Sequence, residues 1–295
     1  KMSPKIFSLV FATVILSFIA AVAIIQGHSA YAVVIFPDFN FGAAGDWGCT
    51  PNANSTVKNM VEKGIDLNLG LGDYSYQPTA DCWLDIIQPI FNKTKISMGN
   101  NDNITEYMNI FNLTRQYYSF DVQNVHFLVI STELKNESDK FDQLKFVRND
   151  LNRTSSNPAI DWIIVYFHRQ AYTSLIVNEV DRTDKTTRGT YHPLFDKYNV
   201  DLVLQAHNHN YERSYPLNYN QVDPDNPIKV SNETNNYYSD LSGPIFVTVG
   251  TGGISLYPLV GKAPYIVNQT DSSYGFLNVD VINNGTKLSA KFLSN

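Results

Sequence analysis

Five short motifs carry residue types that bind metals and handle phosphoryl groups. They are Gly45-Asp46-Trp47-Gly48, Gly72-Asp73-Tyr74-Ser75-Tyr76, Gly99-Asn100-Asn101-Asp102, His168 with nearby Tyr172, and Ala206-His207-Asn208-His209. Carboxylates, an amide oxygen, a phenol and imidazoles are the donors that first-row transition metals take. Glycine beside each carboxylate permits a tight turn and a close backbone approach. A carboxylate such as that of Asp73 has two oxygens and can bridge two cations. The Tyr76 phenol ionises near pH ~10 in water, so only a strongly Lewis-acidic metal would hold it as phenolate. Singly, each motif reads as an ordinary turn or a packed side chain. Together, two aspartates, an asparagine and three histidines on matching junctions point to a metal site.

Each motif follows an apolar run that reads as a buried strand, and the elements around them alternate. Residues 39–45, 65–70 and 95–98 read as strands, with helices over 53–63 and 81–91 between them. A hairpin follows, 117–122 and 125–132 about the pair Gln123-Asn124. Next come a helix over 141–151, an almost wholly apolar strand 162–167 running into His168, and a polar loop over 183–190. A helix over 193–198 leads to a strand at 202–205, and further strands are expected at 245–249, 276–281 and 287–292. Helical and strand-only stretches are interleaved. Two sheets packed between helices are therefore expected, with donors presented at strand ends along one sheet edge.

The order GD-x-G, GD-x-x-Y, GN-x-D, H and H-x-H resembles the calcineurin-like metallophosphoesterases, and among them the purple acid phosphatases. Tyr76, His168 with Tyr172, and His209 followed by Tyr211-Glu212-Arg213 favour the purple branch, over a span from about Phe39 to the C-terminus. The resemblance implies an α/β fold, a four-layer α/β/β/α sandwich of two mixed sheets flanked by helices. It implies two metal ions. Asp46, Tyr76 and His209 would bind Fe(III), Asn100, His168 and His207 would bind Zn(II), Mn(II) or Fe(II), and Asp73 would bridge them. The implied reaction is hydrolysis of phosphate monoesters by metal-bound hydroxide, with Asn101 and Asp73 in catalytic roles.

Two positions depart from the family pattern. A histidine that contacts phosphate and assists the leaving group is Asn101 here, and an amide has no proton to supply. The first glycine of the last motif is Ala206. Substrate contacts are expected from Asn101, Tyr172, Arg182 and Arg188, the arginines pairing with a second phosphate or a carboxylate. Two alternatives follow from Asn101: a phosphodiesterase or nucleotidase on the same site, and a cell-surface phosphate-binding protein with little turnover.

The chain has 295 residues, 43% hydrophobic and 13% aromatic, with a formal net charge of −6. It is more acidic still without Lys1 and Lys5, so it has no basic field to attract nucleic acid, and a small phosphorylated substrate is the expected partner. Lys1 and Lys5 precede an uncharged apolar run, 6–25, and an Ala30-Tyr31-Ala32 ending. Residues 1–32 read either as a cleaved signal peptide or as an N-terminal membrane anchor, and 33–295 as an extracytoplasmic catalytic domain. Sequons at Asn54, Asn92, Asn103, Asn112, Asn136, Asn152, Asn232, Asn268 and Asn284 agree with export. The only cysteines, Cys49 and Cys82, are either a disulfide or two buried thiols.

Overall fold

The computed structural model describes residues 36–174, 183–231 and 242–295. Segment 1–32, Arg182 and the Asn232 sequon lie outside the described residues. The chain opens with β1 (Phe39–Ala44), α1 (Pro51–Lys63), β2 (Leu67–Gly70) and α2 (Asp81–Ile87). After a 3-10 turn at Gln88–Lys93 come β3 (Thr94–Ile96) and α3 (Ile104–Ile110). The hairpin β4 (Tyr118–Val122) and β5 (Val125–Val129) precedes α4 (Glu137–Thr154), β6 (Trp162–Arg169), α5 (Lys185–Lys197) and β7 (Leu202–Ala206). Strands follow: β8 (Tyr211–Asn218), β9 (Ile228–Lys229), β10 (Ile245–Val249), β11 (Ile266–Thr270), β12 (Gly275–Ile282) and β13 (Lys287–Ser294).

Two mixed sheets result. One runs β13-β12-β1-β2-β3 and the other β11-β8-β10-β7-β6-β5-β4, with β9 paired to β8. The motif-bearing strands β1, β2 and β3 are mutually parallel, as are β5, β6, β7 and β10. Parallel strands place their C-terminal ends on one edge, so the residues that follow them meet there.

Side-chain alternation explains the layers. On β6, Ile164 and Tyr166 enter the core shared by both sheets, whereas Ile163, Val165 and Phe167 enter a second core with α4 and α5. A strand buried on both faces reads as a continuous apolar run, which is why 162–167 shows no polar alternation. Phe41 and Phe127, one from each sheet, meet edge-on at 5.3 Å within the shared core. Helices α1 and α2 cover the first sheet, giving the four-layer α/β/β/α sandwich. No helix of the described residues is long and apolar enough to cross a membrane.

Local chemistry sets the helix ends. Thr50 caps α1 by accepting from the Ala53 N–H at 3.1 Å, Pro51 follows, and Gly64 at φ 71° closes it with its N–H on Met60 and Val61. Cys49 and Cys82 form a disulfide, Cα atoms 5.8 Å apart, between the loop after β1 and α2.

The polar stretch 183–190 is not a loop throughout. Asp184 accepts from the Thr187 N–H at 2.9 Å and starts α5, which runs past Pro193 to Lys197. The side chains of Thr187, Arg188, Tyr191 and His192 are buried against the second sheet, and tertiary packing overrides the weak helix propensity of Thr187, Tyr191 and His192. Helix α3 and strands β8, β9 and β11 also have no counterpart in the sequence pattern. Strand β8 conceals its alternation because the buried Glu212 is satisfied by Thr173 Oγ1 at 2.6 Å and the Ser174 N–H at 2.8 Å.

Candidate metal centre

The loops after β1 and β2 stay paired beyond the strands. Asp46 N–H donates to Gly72 O, Trp47 N–H to Asp73 O, and Gly48 N–H to Tyr74 O, at 3.1, 2.9 and 2.8 Å. The third motif is folded onto the second by Asp102, whose carboxylate accepts from the N–H groups of Asp73, Tyr74 and Gly99 at 3.0, 2.8 and 2.7 Å. The last motif joins the first, His207 N–H donating to Asp46 Oδ2 at 2.7 Å. Asp46, Asp73, Tyr76 and His207 all have positive φ, between 55° and 69°. Left-handed backbone is costly for such residues and concentrates at functional sites. Gly72, at φ 88°, allows His168 to approach: a Cβ there would stand 2.8 Å from its Nδ1.

All seven expected donors converge, in two sets. In one, Tyr76 Oη lies 3.1 Å from Asp46 Oδ1 and 3.0 Å from His209 Nε2, and the last two atoms' residues approach to 3.5 Å. In the other, His168 Nε2 lies 3.2 Å from Asn100 Oδ1, 3.2 Å from His207 Nδ1 and 3.4 Å from Asp73 Oδ2. Backbone carbonyls orient two of the rings. His168 Nδ1–H donates to Leu71 O at 2.9 Å and His209 Nδ1–H to Ser255 O at 2.8 Å, which turns each Nε2 lone pair toward the cluster. Asp73, His168 and His207 by themselves form a group able to hold one ion.

The electrostatics of the protein groups alone fit cation binding. Asp46, Asp73 and His168 are at most 1% exposed. Burial opposes ionisation of Asp73, but the His168 charge and hydrogen bonds from His168 and Asn101 outweigh it and hold the carboxyl well below its usual range. Burial likewise opposes charge on His168, yet Asp73 raises it to about 10, the imidazolium standing where a cation would. Burial, then the charges of Asp46 and Asp73, push the Tyr76 phenol far above its ordinary value. Ionising it requires a compensating cation. Asp102 rises to about 7 through burial and the Asp73 charge, against the Tyr74 and Gly99 N–H groups. Two buried carboxylates, a phenol, an amide and three imidazoles, each 3.0–3.5 Å from a neighbour in its own set, make a donor set that metal ions satisfy.

A calcineurin-like phosphoesterase family model matches residues 39–211, more than half of the chain and every motif above. The chain belongs to the calcineurin-like phosphoesterase family. Its likeness runs to the purple acid phosphatases. It is 26% identical to mouse acid phosphatase type 7 over 85% of this chain and 63% of that protein. It superimposes on a purple acid phosphatase from yellow lupin seeds with a TM-score of 0.72, at 21% identity, over 88% of this chain and 52% of that one. GAP50, described as the anchor in the inner membrane complex of Plasmodium, matches with a TM-score of 0.66 at 16% identity, over 87% of this chain and 84% of that one. The chain spans about half to two thirds of the length of the mouse and lupin proteins.

Within this phosphoesterase fold, two of the four expected substrate contacts, Tyr172 and Arg188, are corrected. Tyr172 is fully buried in the second core, its hydroxyl 2.8 Å from His192 Nδ1 and its ring against Phe246 and Tyr265. It faces packing, not substrate. Arg188 is buried in α5, over the Tyr172 ring and bonded to Ala171 O and Asp225, so it fastens helix to loop. Arg182 lies outside the described residues. Asn101 is at the donor edge, where its side-chain amide donates to Asp73 Oδ2 at 2.6 Å and its N–H to Oδ1 at 2.8 Å. Asp102, Ser255 and Tyr257 were not expected there. Asp102 closes the third motif and was open to inference, whereas the other two have no sequence signal.

Proposed function

We propose that this chain is an exported phosphoester hydrolase that uses two metal ions, with phosphate monoesters as substrates. The observation that carries the reading is the convergence of seven donors in two sets with Asp73 adjoining both. Asp73 contacts His168 in one set, and its charge acts on Tyr76 in the other. Asp46, Tyr76 and His209 would hold one ion, expected to be Fe(III). Asn100, His168 and His207 would hold Zn(II), Mn(II) or Fe(II), with Asp73 shared. Bound there, the ions would polarise phosphoryl oxygens and lower the pKa of water.

The chain's own groups supply position. Leu71 O and Ser255 O fix the ring tautomers, Asp102 fixes the second and third motif loops, and Asn101 holds both oxygens of Asp73. A disulfide supports an oxidising compartment, and every sequon asparagine among the described residues is exposed. Residues 33–295 would form the catalytic domain. The N-terminal segment would be a signal or an anchor and the only route to a membrane. The acidic chain is not expected to bind nucleic acid.

Asn101 favours a second reading. Its amide is committed to Asp73 and carries no transferable proton. A diester with a good leaving group needs no such proton, and a phosphate-binding protein with little turnover needs none at all. Rates on p-nitrophenyl phosphate and bis-p-nitrophenyl phosphate, with Asp73→Ala as the control, discriminate the readings. Faster monoester hydrolysis supports the proposal. Faster diester hydrolysis overturns the monoester assignment, and hydrolysis of neither by metal-loaded protein overturns the enzyme.

A further inference from the structure

The two donor sets are held by different parts of the chain. His168 is oriented by Leu71 O, from the loop after β2, and the Leu71 N–H bonds to Ala44 O at 2.9 Å. All of this lies within the family match at 39–211. Two donors of the other set, Asp46 and His209, are held in addition by segment 250–257, which follows β10 and lies outside that match.

Segment 250–257 touches two of the three donors in that set repeatedly. Gly252 N–H donates to Gly45 O at 2.9 Å, and the N–H groups of Gly253 and Ile254 both donate to Asp46 O, at 3.1 and 3.0 Å. Gly250 abuts the Asp46 side chain, where a Cβ would stand 2.6 Å from Oδ2. At the other donor, Ser255 O accepts from His209 Nδ1–H at 2.8 Å, and the Tyr257 N–H donates to His209 O at 2.9 Å. The Tyr257 ring then lies flat on the His209 imidazole, centroids 3.8 Å apart and planes 14° from parallel.

These contacts remove separate freedoms. Rotation of an imidazole about its last torsion is soft, so one hydrogen bond does not fix the ring plane. The Ser255 carbonyl sets the direction of Nδ1, and a stacked ring sets the tilt. Nε2 is thereby held 3.0 Å from the Tyr76 oxygen. Neither contact is to the reacting atoms, so the effect acts through His209 and Asp46.

We propose that segment 250–257 is the positioning device of the Asp46–Tyr76–His209 half of the centre, with Tyr257 as the residue that sets the His209 ring plane. The proposal rests on the two-metal reading above. It assigns Tyr257 to the affinity of one ion and not the other, and partners that orient a metal-bound ring are typically worth about 10–100-fold in affinity.

The test is calorimetric titration of chelator-stripped full chain with Fe(III), supplied as its citrate complex, and then with Zn(II), for wild type, Tyr257→Phe and Tyr257→Leu. The wild type and Tyr257→Phe should each bind two ions with matching affinities, because phenylalanine keeps the stacked ring. Tyr257→Leu keeps bulk but not the stack. It should retain one site unchanged and weaken the other about 10–100-fold, with the stripped protein still folding cooperatively and its melting temperature lowered by no more than about 2–4 °C. Two unaltered sites in Tyr257→Leu, or equal weakening of both, would overturn the proposal while leaving the two-metal reading intact. Fewer than two ions in the wild type would overturn that reading and the proposal with it.

Discussion

Asp46, Tyr76 and His209 make an acidic, oxygen-rich half of the donor edge, whereas Asn100, His168 and His207 make a neutral, nitrogen-rich half. The acidic half suits the more highly charged cation, since a carboxylate and an ionised phenol offset its charge where water is excluded. Its anchoring differs too. A disulfide from Cys49 to Cys82 ties the loop that carries Asp46 to α2, the helix that follows the Tyr76 loop, and Cys49 Sγ itself lies 3.4 Å from Ser75 O. The neutral half has no such tie and draws its order from the parallel strands β2, β3, β6 and β7. One edge thus combines a covalently fastened, charged site with a site held by strand register, and Asp73 links them.

The largest expected effect erases the comparison. Asp73→Ala should release both ions and lower phosphoester hydrolysis by on the order of 10³ or more, since polarisation by bound metal is worth several kcal/mol. Metal analysis beside rate measurement checks it; an active variant would mean that the halves work independently. Next, Cys49→Ala with Cys82→Ala opens a closure of 33 residues in sequence separation and should cost about 3–4 kcal/mol in denaturant unfolding. Under a chelator the double variant should lose the acidic-half ion first. Equal rates of loss would break the contrast in anchoring.

Smaller effects sharpen it. Asn101→Ala removes the side-chain bond to the shared Asp73 and should weaken both sites about tenfold in the same titration. The smallest change lies away from the edge, at His126, which bonds Asp150 and Asp121 at 2.7 and 2.6 Å. Burial opposes its protonation, but hydrogen bonds and charge from Asp150, and then Asp121, raise its pKa above the ordinary 6.5. Its share of stability is therefore complete below about pH 6.5 and fades as pH rises through the raised value. His126→Gln should cost on the order of 1 kcal/mol at pH 6, less at pH 9, with both ions retained. A constant difference between those pH values would place the effect in packing rather than protonation.

Much of the neutral half was legible from sequence. His168 ends an apolar strand, His207 follows another, and Asn100 sits beside a glycine turn, so side-chain type and strand pattern sufficed. In the acidic half the three donors were also legible, but their support was not. Segment 250–257 acts mainly through amide and carbonyl groups that every residue carries, and a Gly-rich, apolar stretch gives no side-chain signal. Tyr172 and Arg188 show the reverse error. Their chemistry suits a substrate, but burial and partners in the second core had already claimed both.

The central claim is that one edge holds two ions of different character. Metal analysis of purified full chain supplied with iron and zinc, with its visible spectrum, tests it most directly. Two ions per chain should be found, one of them iron, with a visible absorption band that disappears in Tyr76→Phe. Folded protein that retains one ion or none under those conditions would contradict the account.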